Sequence, residues 1–217
     1  MLTRQDQTIT DCLEVLDEIA PLGLRHVGFK DVGVEPPVLA ELVRRIRARG
    51  ATTYMEVVST SPEACLRSAR VGREIGVDWL LGGTLVQEVL EIVAGSGVKY
   101  APFPGKPTGH PTKLGGSPED VEADCRRFAE LGCAGVDLLA YRATEADPLA
   151  LVRAARAGTP GLLLVAGSVH EPAQIRALAA AGADAFTIGS AAFDGSFSPR
   201  KGSLRSQLAD ILAACRA

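Results

Sequence analysis

Seven short β-rich apolar runs punctuate the chain, and amphipathic helical patterns fill most of the spaces between them. The runs are LRHVGFK (24–30), TTYMEVV (52–58), DWLLG (78–82), VKYAPF (98–103), VDLLAY (136–141), GLLLVA (161–166) and AFTIG (185–189). Helix starts are marked by their chemistry. Ser61 can cap a helix with Pro62 in its first turn, and Ser117 with Pro118 repeats the device, with Gly132 closing that helix. Strands that alternate with helices at this spacing must run parallel, because each helix carries the chain back across the sheet.

Seven strands are one short of a closed ring. Met1–Thr3, followed by a loop and the helical segment TITDCLEVLDEIA, supply the eighth as an unusually short stub. The expected fold is a (β/α)8 TIM barrel with a very short first strand, one domain over residues 1–217. The competing architecture is an open doubly wound sheet. An internal repeat favours the barrel: EVVSTSPEACLRSARVGREIGVDWLLGGT (56–84) echoes LVAGSVHEPAQIRALAAAGADAFTIGS (164–190). Pro62 matches Pro172, Asp78 matches Asp184, and Thr84 matches Ser190, with one more helical turn in the first copy. Elements four apart that match are what a duplicated half-barrel produces.

Charge and cysteines narrow the function classes. The formal net charge is −3, with no basic excess for a nucleic-acid or membrane partner. The five cysteines include no C-x-x-C pair, and three scattered histidines form no ligand cluster, so no metal and no cofactor is expected. No apolar run approaches the ~20 residues of a membrane span. The first ten residues lack a signal peptide's apolar stretch, so the expected location is cytoplasmic. The last helical segment, 203–215, has an apolar side that covers the final strand or a partner copy, which leaves a homo-oligomer open.

Two glycine-serine corners carry the functional expectation. Gly167-Ser168 and Gly189-Ser190 each follow an apolar strand directly. Glycine lets the backbone turn sharply and approach a ligand, and the following N–H and hydroxyl groups can face an anion. In barrels the loops after the last two strands are the usual phosphate cradle. Gly167, Ser168, Gly189 and Ser190 are therefore assigned to a substrate phosphate.

These corners, in AGS and GADAFTIGSAAF, resemble those of the ribulose-phosphate-binding barrels. That group includes isomerases of the histidine and tryptophan pathways, indoleglycerol-phosphate synthases and N-acetylmannosamine-6-phosphate epimerases. The resemblance covers about 160–190 and implies a phosphorylated small-molecule substrate, often sugar-derived. It does not fix the reaction, because one fold hosts many chemistries. The Asp-x-Lys-x-x-Asp motif of the group's decarboxylases is broken here, where Gly28 stands in GFKDVG.

Catalytic groups of a barrel lie at the C-terminal ends of its strands. Lys30 ends its run, and a buried ammonium there needs a ligand or a carboxylate. Glu56, on the neighbouring run, is the expected partner. Arg142 ends the VDLLAY run and could clamp an anion with its planar fork. Arg4, Tyr141 and His170 are weaker candidates. The segment 102–117, the longest irregular stretch, reads as a lid carrying Lys106 and His110. Asp78, Asp137 and Asp184 begin similar runs (GVDWLL, GVDLLAY, GADAFT) and are assigned to the closed underside and to stability. The reaction expected first is isomerisation or epimerisation with Lys30 and Glu56 moving protons. The alternatives are a Schiff-base aldolase or lyase using Lys30, and a non-catalytic phosphometabolite-binding protein.

Overall fold

The chain's structure is a computed structural model that describes residues 1–216; Ala217, the last residue of the expected domain, lies outside the described residues. The chain opens with a hairpin, β1 (Thr3–Arg4) and β2 (Gln7–Thr8), then α1 (Cys12–Ile19). Alternation follows: β3 (His26–Lys30), α2 (Pro36–Ala48), β4 (Thr52–Val57), α3 (Pro62–Ile75), β5 (Trp79–Gly82), α4 (Val86–Val93) and β6 (Lys99–Ala101). A second hairpin, β7 (Lys106–Thr108) and β8 (Lys113–Gly115), precedes α5 (Pro118–Glu130), β9 (Gly135–Leu138), α6 (Pro148–Gly158), β10 (Leu162–Val165), α7 (Pro172–Ala181) and β11 (Ala185–Phe186). The short α8 (Ser190–Phe193) and α9 (Leu204–Ala214) end the fold.

The helix-start chemistry works as expected. The Ser61 hydroxyl accepts from the Ala64 amide, and Ser117 makes a capping box with Asp120. Each helix turns one apolar stripe inward, and the buried residues form one continuous core cluster between helices and strands.

The fold is a (β/α)8 barrel. Its long strands form two parallel ladders, β3-β4-β5-β6 and β9-β10-β11. Single backbone hydrogen bonds bridge the seams. On one side Ala134 N donates to Tyr100 O at 2.9 Å, and Asp137 N to Pro102 O at 3.0 Å. On the other, the expected stub occupies the first strand's place: Leu2 N donates to Gly28 O at 2.7 Å, and Met1 N to Ile188 O at 2.8 Å.

Register decides which side chains enter the barrel. Lys30 pairs with Glu56 and Glu56 with Leu81, so these residues share one face of the sheet. Two residues down, Gly28, Tyr54, Trp79 and Lys99 form another rung on that face. Tyr54 and Trp79 stack there with ring centres 6.2 Å apart, and the Lys99 ammonium lies over the indole. The intervening Phe29, Met55 and Leu80 are buried on the opposite face, toward the helices.

Two expectations need correction. The segment 102–117 is not wholly irregular, because β7 and β8 pair within it. The three aspartates are also not equivalent. Asp78 and Asp184 precede their strands and satisfy their bottom ends: Asp78 accepts from Thr53 N and Arg47, and Asp184 from Leu163 N and Arg156. Asp137 is instead the third residue of β9, level with Leu164 and Ala185, one rung above Asp184. With a side-chain period of two, one residue of displacement moves a side chain to the other face. Asp137 is wholly buried and lies in the field of Glu56, Lys30 and Arg142.

Candidate functional site

The residues singled out from the sequence come together around one cavity of about 280 Å³. Lys30, Glu56 and Arg142 line it, and so do Gly167, Ser168, Gly189 and Ser190. It opens at the C-terminal ends of the strands, where βα loops build barrel sites.

The first corner follows β10. Gly167 and Ser168 both have positive φ, +80° and +59°. A Cβ on Gly167 would lie 2.3 Å from Arg142 Nε, so glycine is required for space as well as for conformation. Gly189, after β11, needs its bareness for a different reason: a Cβ there would meet Thr3 Oγ1 at 2.6 Å. Gly189 caps α8, and the first amides of a helix have no partners within it. Among the described residues, the hydroxyls of Ser168 and Ser190 engage in no hydrogen bond. His170 also lines the cavity, with its ring nitrogen 3.0 Å from Ser168 O.

The opposite wall is charged. Lys30 is 4% exposed and Glu56 is 2% exposed, with 3.4 Å between the ammonium and Glu56 Oε1. Sequence reasoning paired these two and missed a third member, Asp6. The two-residue turn joining β1 to β2 is Gln5-Asp6, both with positive φ, an uncommon conformation for residues other than glycine. Its tip puts the Asp6 carboxylate between Lys30 and Arg142. Arg142 grips it with two bonds, Nη2 to Oδ1 at 2.9 Å and Nη1 to Oδ2 at 3.1 Å, and Lys30 Nζ donates to Oδ1. Thr112 N adds a longer bond of 3.3 Å.

The electrostatics follow from burial and pairing. Burial alone would raise the Asp6 carboxyl, but Arg142 and Lys30 outweigh it and hold it well below the ordinary carboxylate range. Glu56 goes the other way: burial raises its carboxyl, and Lys30 offsets this only in part. Asp137 is raised further, by burial first and by the Glu56 charge second. Arg142 is stabilised as a cation by Asp6 despite its burial. One carboxyl is thus firmly ionised, beside two that burial drives toward the neutral form.

The other candidates lie apart. Lys106 is exposed and bonds Asp120 at 2.9 Å, and it is not among the cavity's lining residues. His110 approaches the site indirectly, with Nδ1 3.9 Å from Asp6 Oδ2. Arg4 stacks over the Phe193 ring outside the cavity. Arg142 and Tyr141 lie in a single 3-10 turn, because β9 stops at Leu138. Asp6 gave no signal because TRQDQT has neither apolar periodicity nor a glycine turn signature. Asp194 also lines the cavity, and its carboxyl is lowered by hydrogen bonds from Ser196.

No family model and no curated protein matches this sequence. Solved structures do match it in shape. The native KDPGal structure superposes with a TM-score of 0.69 at 15% identity, covering 97% of this chain and 91% of that one. The tryptophan synthase α-subunit from Pyrococcus furiosus gives 0.61 at 16% identity, over 83% of this chain and 75% of the other. FabK from Thermotoga maritima gives 0.53 at 15% identity over 73% of this chain, which spans only 48% of FabK's length. Among the described residues no helix is long and apolar enough to cross a membrane. At 15–16% identity the likeness to these solved structures is one of fold: the chain is a (β/α)8 barrel, as they are.

Proposed function

We propose that this chain is an enzyme that binds a small sugar-phosphate-like metabolite and interconverts it by acid–base catalysis. One observation carries the reading: both glycine-serine corners and the Lys30–Glu56 pair face a single cavity of about 280 Å³. A site needs an anchor and a reactive pair within reach of one small molecule. Gly167, Ser168, Gly189 and Ser190 would anchor the phosphate through backbone amides and hydroxyls. Glu56 would take a proton from the carbon beside a carbonyl. Lys30 would stabilise the charge that develops on the carbonyl oxygen. Arg142 would orient the substrate, and His110 and the β7–β8 hairpin would close over it. Lys30 and Glu56 stand on adjacent strands, which suits proton transfer on one face and favours an isomerase over an epimerase. The β/α barrel as a single domain, a cytoplasmic location and assembly with further copies belong to the same proposal.

Deuterium tests it. Phosphorylated aldoses and ketoses are incubated with the protein in D2O and followed by NMR. Deuterium should enter the carbon next to the carbonyl, and E56Q and K30M should each lower the rate by about a hundredfold or more. Binding without exchange across the panel would leave a phosphometabolite-binding protein. A borohydride-stable adduct on Lys30 would make it a Schiff-base lyase. The pairing of Lys30 with Asp6 and Glu56 favours an ammonium over a free nucleophilic amine.

A further inference from the structure

Asp137 is a buried charge-bearing group that this chemistry leaves unused. It is 0% exposed, and neither of its carboxyl oxygens has a hydrogen-bond partner among the described residues. A buried aspartate normally has its oxygens taken up by amides or cations, as Asp6 does with Arg142, Lys30 and the Thr112 amide. Asp137 stands on β9, which the seam bonds join to β6, so it lies three strands round the barrel from β4 and Glu56. It does not line the cavity, whereas Glu56 does.

The charges around it can be counted. Lys30 and Arg142 bring two positive charges; Asp6, Glu56 and Asp137 could bring three negative ones. Asp6 takes both terminal guanidinium nitrogens of Arg142 and the nearer contact of Lys30. What remains for Glu56 is Lys30 at 3.4 Å, and nothing remains for Asp137. Burial lowers the pKa of the Met1 amino group to about 6, so it adds little positive charge at neutral pH, and His110 reaches only Asp6. A third ionised carboxylate in this dry interior would be uncompensated.

We propose that Asp137 and Glu56 act as a pair that carries at most one negative charge at neutral pH, with Asp137 setting the charge on the cavity-facing Glu56. Asp137 is then a positioning residue that works through Glu56. When Glu56 takes a proton from a substrate carbon, the C–H electron pair stays on the enolate beside Lys30, and the carboxyl pair goes from one proton to two. The hydroxyl hydrogen then passes from its oxygen to the enolate oxygen, and return of the carbon-bound proton to the former carbonyl carbon completes the exchange and restores the pair. This consequence rests on the reading of Glu56 as the proton acceptor; the pairing itself does not.

The test needs no substrate. Carboxyl-labelled glutamate is followed by 13C NMR across a pH titration of the intact chain, with Glu56 assigned by E56Q. In D137N, which keeps the side-chain shape and removes the charge, the Glu56 midpoint should fall by about one pH unit or more. In the reciprocal arm, with labelled aspartate, E56Q should lower the Asp137 midpoint by the same amount. This arm stands if D137N fails to fold. A Glu56 midpoint unmoved by D137N, or an Asp137 midpoint unmoved by E56Q, would overturn the proposal and make Asp137 an isolated structural acid. Absence of deuterium exchange on every sugar phosphate would sink the isomerase reading alone, because the titration does not depend on it.

Discussion

The repeat gives the barrel two related corners, and they have been finished differently. The corner after β10 and β11 is built from Gly167-Ser168 and Gly189-Ser190. Its counterpart after β4 and β5 is built from Ser59-Thr60 and Gly83-Thr84, and it borders a cavity of similar size, about 300 Å³. In the second corner the protein supplies its own anion: Asp31 accepts from Val58 N at 2.9 Å and from the Ser59 hydroxyl. In the first corner no carboxylate among the described residues does this for Gly167 or Ser168, and the nearby Asp6 is held on Lys30 and Arg142 instead. A corner that already has its counter-charge has little left to offer a phosphate. The difference supports the proposal that an external anion binds on the β10–β11 side.

The sharpest way to break this comparison is to disturb the anion already in place. Arg142→Gln leaves the buried Asp6 carboxylate with Lys30 as its only cation. Removing one partner of a buried pair costs roughly 3–5 kcal/mol, so denaturant unfolding should show a loss of that order. The acid side of the stability profile should change with it. The Asp6 carboxyl is depressed in the folded state. Its contribution is therefore fully present above the unfolded carboxylate value of about 4 and fades as pH falls through the folded value. That acid-side loss should shrink in the variant. An unchanged profile would mean the pair is not what holds the hairpin.

Next comes a matched pair of glycine substitutions. Gly167 and Gly83 have similar positive φ, +80° and +70°, so Gly167→Ala and Gly83→Ala should each lose about 1–3 kcal/mol of stability. Their effects on binding should diverge. The added Cβ at residue 167 meets Arg142, whereas at residue 83 it meets Cys65 Sγ at 3.1 Å. Calorimetry with glycerol phosphate should show at least about a tenfold loss of affinity in the first and little change in the second. Equal losses would erase the distinction between the corners. The smallest effect is expected from Asp31→Asn. It should cost about 0.5–1.5 kcal/mol through weakened bonds to Val58 and Ser59, and leave phosphate affinity at the first corner unchanged.

Much of this was readable from local pattern. Strand–helix alternation, Ser-Pro helix starts and the stub at Met1–Thr3 all act within a few residues or through simple periodicity, and the structure follows them. Lys30 and Glu56 could be paired because neighbouring strands in a parallel barrel carry their last residues to the same rim. Asp137 resisted the same treatment. GVDWLL, GVDLLAY and GADAFT look interchangeable as strings, yet β9 starts two residues before its aspartate, while β5 and β11 start after theirs. Where a strand begins depends on hydrogen bonds from its neighbours, such as Asp137 N to Pro102 O, and no pattern within the string contains them.

Asp6 makes the same point more strongly. It lies 24 residues from Lys30 and 136 from Arg142 along the chain, in a polar stretch without periodicity. Periodicity and capping determined the kind of fold and the strands on which reactive groups would lie, because those signals are short-ranged. The charge state of the site was settled by three-dimensional packing. It depends on which carboxylate gets the cations and which is left dry, and that is a property of distances between segments remote in the chain.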